Sequence, residues 1–144
     1  METVAYRWRM AETILVVEDE VIIRLGIAEF LREQGYVVHE AGMASEAIEV
    51  LKTGPLIDLV ITDVRMPGEM DGFALARWMR TYAPEVKVIL TSGVVTTDTM
   101  GNVVQLIKPY TKEHMLKVIQ SVVMEQRAIA EGAEGVGSYP SVLR

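Results

Sequence analysis

The sequence predicts an α/β fold: an open, parallel, five-stranded sheet with helices on both faces. Three observations carry that expectation. Five short runs rich in Val and Ile, at 14–17, 36–38, 59–61, 86–90 and 103–107, are mostly continuous rather than alternating, as strands buried on both faces must be. Segments with helical spacing fill the intervals, and such alternation of strand and helix means a doubly wound sheet. Four of the runs lead into a polar residue that a core would not choose: Glu18 and Asp19, Asp63, Thr91 and Lys108.

Each element follows in order. After the first run, 21–34 places Ile23, Ile27, Phe30 and Leu31 on one helical face and stops at Gly35. The second run is succeeded by 44–52, which groups Ala47, Ile48 and Leu51 and ends at Gly54-Pro55. The third passes through Thr62 to Asp63. A helix over 73–82 then carries Ala76 and Met79 behind Phe73. The fourth run reaches Thr91, and the fifth, from about Val103, reaches Lys108. Thr111 is an N-cap for a last helix whose apolar stripe is Met115, Leu116, Ile119, Val122 and Val123. Right-handed crossovers connect the strands.

The 144 residues suit one domain. Its expected limits are 12–131, with an N-terminal arm at 1–11 and a flexible Gly-containing tail at 132–144. Half the residues are hydrophobic and 24% are charged, which is the composition of a globular chain. A net charge of −6 argues against a nucleic-acid surface, which needs clustered Lys and Arg. The absence of cysteine excludes a disulfide framework, a Cys-based zinc site and a thiol nucleophile together. No apolar stretch approaches the ~18 residues of a membrane span, and the N-terminus has no long apolar leader. A cytoplasmic setting is the expectation.

In an open parallel sheet, ligands bind at the carboxyl ends of the strands, so the four polar sets should meet at one edge. Carboxylates that converge without partners repel one another. A hard divalent cation resolves the conflict, and Mg²⁺ needs only one or two direct carboxylates because it keeps several waters. A lysine and a hydroxyl beside it suit the oxygens of a phosphoryl group. With neither a Cys nor a Ser-His pair, a carboxylate is the candidate nucleophile, as in aspartyl-phosphate chemistry.

The motifs VVEDE (16–20), ITDVRMPGEMDG (61–72), ILTSG (89–93) and LIKPY (106–110), in this order, resemble the receiver domain of two-component response regulators over roughly residues 12–130. The resemblance implies a flavodoxin-like fold with strand order 2-1-3-4-5. It makes Asp63 the phosphoacceptor and Asp19 a direct Mg²⁺ ligand, with Glu18 acting through water or hydrogen bonds. The backbone carbonyl of Arg65 would be a further ligand. Thr91 would bond one phosphoryl oxygen and Lys108 another, with a cis bond before Pro109. Pro67, Gly68 and Gly72 would shape the loop after the nucleophile. The implied donor is a sensor histidine kinase or a histidine phosphotransfer protein. Output would pass by contact with a protein the sequence does not name, rather than by enzymatic turnover.

The chain also departs from that pattern. Only eleven residues, 92–102, separate Thr91 from the fifth run, so the fourth helix is expected to be short or absent. Gln105 stands where many relatives carry an aromatic switch residue, and Glu18 stands where Asp is commoner. The loop at Gly68-Glu69-Met70 is one residue longer than usual. Two alternatives remain open at this point: a receiver fragment of a hybrid histidine kinase, and an aspartate-nucleophile phosphohydrolase. Against the second, Arg65 occupies the place where a haloacid-dehalogenase-type enzyme has its acidic general acid.

Overall fold

Residues 11–94 and 103–134 are described by the structure, a computed structural model. The strands are β1 (Thr13–Val17), β2 (Val37–Ala41), β3 (Leu59–Asp63), β4 (Lys87–Ser92) and β5 (Val103–Ile107). They are parallel and lie in the order β2-β1-β3-β4-β5, so the predicted sheet and its topology are present. The described helices are α1 (Val21–Glu33), α2 (Ala44–Thr53), α3 (Gly72–Tyr82) and α4 (Lys112–Glu134). The expected short or absent helix between β4 and β5 falls largely on 95–102, outside the described residues, as do arm residues 1–10 and the tail beyond 134.

Continuous apolar strands serve two cores because successive side chains point to opposite faces. In β1, Ile14 and Val16 join Leu59, Ile61, Ile89 and Leu106 beneath α1 and α4. Leu15 and Val17 join Val60, Val88 and Leu90 beneath α2 and α3. Helix α4 contributes Met115, Ile119, Val122 and Val123 to the first core, and α3 contributes Leu75, Ala76 and Met79 to the second.

Helix ends follow local chemistry. The Thr111 Oγ1 accepts from the His114 N–H at 2.9 Å, the N-cap the sequence predicts for α4. Asp71 caps α3 in the same way, its Oδ1 accepting from Ala74 N at 2.8 Å.

Two expectations need correction. The second strand runs through Ala41 rather than stopping at 38, because β2 is an edge strand whose half-exposed His39 and Glu40 interrupt the apolar run. Ile23 is 42% exposed while Ala28 is buried, so the buried stripe of α1 is rotated toward Ile27, Ala28 and Leu31.

Candidate functional site

The ladders bring the polar strand ends to a single edge. Asp63 is the last residue of β3 and pairs in register with Thr91 of β4. The Val64 N–H donates to the Thr91 carbonyl at 3.1 Å, and the Lys108 N–H donates to the Ser92 carbonyl at 2.7 Å. Both bonds continue the sheet one step past its strands and fix where Lys108 leaves β5. On the other side, the Glu18 N–H donates to the Ala41 carbonyl at 3.0 Å and carries β1 outward in the same manner.

At that edge Glu18, Asp19 and Asp63 each offer a carboxylate oxygen, and these oxygens lie within 4.8 Å of one another. Glu18 is 4% exposed, whereas Asp19 faces solvent. The Lys108 Nζ donates to Asp63 Oδ2 at 3.0 Å, in a pair whose side chains are 38% and 12% exposed. Thr91 is buried beside it. Arg65 is exposed on the loop after β3. The peptide bond between Lys108 and Pro109 is cis, as the resemblance implies.

The electrostatics fit crowded negative charge answered by one cation. Burial pushes the Glu18 carboxyl above its usual range; the nearby Asp63 and Asp19 add to the rise, while the Glu20 N–H and Lys108 oppose it. Burial pulls the Lys108 ammonium down, but its hydrogen bond to Asp63 and the charges of Asp63 and Glu18 outweigh that effect and raise it. The half-buried Tyr110 phenol is raised, chiefly by burial. Three carboxylates with only oxygen donors suit a hard divalent cation of the Mg²⁺ class.

The loop after Asp63 is shaped by glycine. Gly68 has φ +97°, a conformation L side chains rarely adopt. At Gly72 the backbone of α3 passes so close to the end of β3 that a Cβ would overlap the Asp63 carbonyl oxygen and stand 2.8 Å from the Val64 Cα. The Gly72 N–H donates to the Val64 carbonyl at 2.7 Å, so α3 starts tight against the strand that presents Asp63.

One participant carried no signal in the sequence. Arg24 of α1 donates to the Glu18 carbonyl at 2.7 Å and to Glu40 at 3.2 Å. Its partners lie just past β1 and on β2, and the pairing of β1 with β2 brings them together.

The comparisons agree with this geometry. The model of the response regulator receiver domain family matches residues 14–128. Sensor kinase CckA of Brucella abortus is 35% identical over 121 residues, which cover 79% of this chain and 13% of that protein. Transcriptional regulatory protein PdtaR of Mycobacterium tuberculosis is 35% identical over 122 residues, covering 81% of this chain and 58% of that one. The chain thus spans less than two thirds of the length of either relative. The crystal structure of a response regulator receiver protein from Sinorhizobium medicae superposes with a TM-score of 0.74 at 29% identity, covering 81% of this chain and 97% of that one. Among the described residues, no helix is long and apolar enough to cross a membrane. An acidic cluster on one sheet edge, a lysine bonded to its central aspartate and a family match across both place this chain among the response regulator receiver domains of two-component signalling.

Proposed function

We propose that Asp63 accepts a phosphoryl group from a phosphohistidine on a sensor histidine kinase or histidine phosphotransfer protein, and that the phosphorylated domain signals by protein contact in a cytoplasmic setting. The observation that carries this reading is the Lys108–Asp63 bond of 3.0 Å inside the cluster of Glu18, Asp19 and Asp63. An Asp63 carboxylate oxygen attacks phosphorus, the N–P bond of the donor breaks, and the imidazole leaves with the electron pair. Asp19 and Asp63, with the Arg65 carbonyl, would hold Mg²⁺, and Glu18 would act through water. When bound, the ion supplies neutralisation of the charge that builds on the phosphoryl oxygens. Lys108 shields one of those oxygens, and the Thr91 hydroxyl donates to another. Arg65 stands where a haloacid-dehalogenase-type enzyme has its general acid, which favours the phosphoacceptor reading over such an enzyme.

An apolar groove beside the site supports a docking place for the donor. A groove of about 460 Å³ opens beside the site, lined by Ile22, Ile23, Gly26, Tyr110 and Lys108 among others. Ile22 is 81% exposed there. Lys108 lines the groove and bonds Asp63, so a protein resting on these apolar side chains brings its phosphohistidine toward the acceptor.

The likeness to part of a sensor kinase supports a second setting for the same chemistry, a relay within a hybrid kinase. Transfer from a panel of phosphorylated histidine kinases and phosphotransfer proteins tests the proposal. The expected result is Mg²⁺-dependent transfer from at least one donor, abolished by EDTA and by Asp63→Asn. Transfer that survives Asp63→Asn, or none from any donor, contradicts it.

A further inference from the structure

We infer that Arg24 is a positioning residue for the acidic pair, fixing through the backbone how Glu18 and Asp19 are presented beside Asp63. This inference rests on the phosphoacceptor reading above. The Arg24 Nη1 donates to the Glu18 carbonyl at 2.7 Å. That oxygen belongs to the peptide joining Glu18 to Asp19, so the guanidinium sets the orientation of the unit from which both carboxylates hang. The bond is charge-assisted, and such bonds are short and directional.

The guanidinium is itself held. The Arg24 Nε donates to Glu40 Oε1 at 3.2 Å, in a pair whose side chains are only 18% and 22% exposed. The other Glu40 oxygen takes Arg32 Nη2 at 3.2 Å, and that same nitrogen donates to the Val38 carbonyl at 2.8 Å. Helix α1 and edge strand β2 thereby form a brace ending on the Glu18 carbonyl. At the site the brace touches the Glu18 backbone rather than the Glu18 or Asp19 carboxylate. Its function is the planar fork that reaches Glu18 and Glu40 at once, which a lysine point charge cannot reproduce.

Three variants test this: Arg24→Met, Arg24→Lys and Glu40→Ala. Two readouts are taken on folded protein: Mg²⁺ affinity by calorimetric titration, and the Mg²⁺ dependence of phosphorylation by acetyl phosphate. Groups that orient metal ligands without touching the metal typically affect affinity about 10–100-fold. Arg24→Met and Arg24→Lys should both weaken Mg²⁺ binding about tenfold, with the phosphorylation rate largely restored at saturating Mg²⁺. Glu40→Ala should weaken binding less, in the same direction, and it decides the matter if Arg24→Met does not fold. Lower melting temperatures with unchanged Mg²⁺ affinity overturn the inference, because a merely structural brace behaves that way. Wild-type affinity in Arg24→Lys overturns it too. If the wild-type protein neither binds Mg²⁺ nor takes the phosphoryl group, the phosphoacceptor reading itself has failed. If it does both and the variants match it, only the role of Arg24 is wrong.

Discussion

At the scale of single residues, the site is a balance between one buried carboxylate and one cation. Glu18 holds its proton to higher pH in the folded protein than in the unfolded chain, first because it is buried and then because Asp63 is near. The folded state therefore binds the extra proton between the ordinary value of 4.5 and its own raised value. The stability this group contributes is fully present below the ordinary value and is lost as pH rises through the raised one. In metal-free protein, Glu18→Gln should melt above wild type at neutral pH, and the gap should close in mild acid. A gap that widens on acidification, followed by circular dichroism across a pH series, contradicts the account. Lys108 has the opposite charge, and its ammonium, raised above the ordinary 10.5 by Asp63 and Glu18, stays charged at neutral pH. Glu18, Asp19, Asp63, Thr91 and Lys108 were legible in the sequence because each is polar where an apolar strand ends. Arg24 was not, because its brace joins residues 6 and 16 positions away, and neither spacing marks a contact until β1 and β2 pair.

Among the elements, α3 starts in close contact with the end of β3 that carries Asp63. Gly72→Ala forces a Cβ into the Asp63 carbonyl. Overpacking of this kind costs about 1–3 kcal/mol, and here the displaced atoms belong to Asp63, the proposed acceptor. The substitution should lower the urea midpoint and slow phosphorylation by acetyl phosphate as well. A slower reaction at unchanged stability, or lost stability at an unchanged rate, contradicts this coupling. The α1 face makes a different claim. Ile22→Asp removes apolar surface from the groove without touching the carboxylates, so it should impair transfer from a protein donor and leave acetyl phosphate chemistry intact. Equal loss with both donors would show that α1 serves the site rather than the partner. Helix boundaries were readable from caps and glycines, as Thr111 and Gly35 show. The extent of β2 was not, since an edge strand tolerates the half-buried polar His39 and Glu40 within it. Nor was the rotation of α1, since an exposed apolar Ile23 reads as core until the groove beside it is seen.

For the whole molecule, a sheet covered on both faces leaves only its carboxyl edge for chemistry. One core lies beneath α1 and α4 and the other beneath α2 and α3, and their packing sets the register that places Asp63 beside Thr91. Away from that edge, the Arg127 pair with Glu12 ties α4 to the residue just before β1. This architecture was legible in the sequence because fully buried parallel strands have a continuous apolar signature. The strand order was not contained in that signature and came from the resemblance of four motifs to a known family. The central claim is that the edge exists to phosphorylate one aspartate. Intact mass spectrometry after incubation with acetyl phosphate and Mg²⁺ tests it most directly. One added phosphoryl group is expected in the wild-type protein and none in Asp63→Asn, whereas full labelling of Asp63→Asn would overturn the assignment.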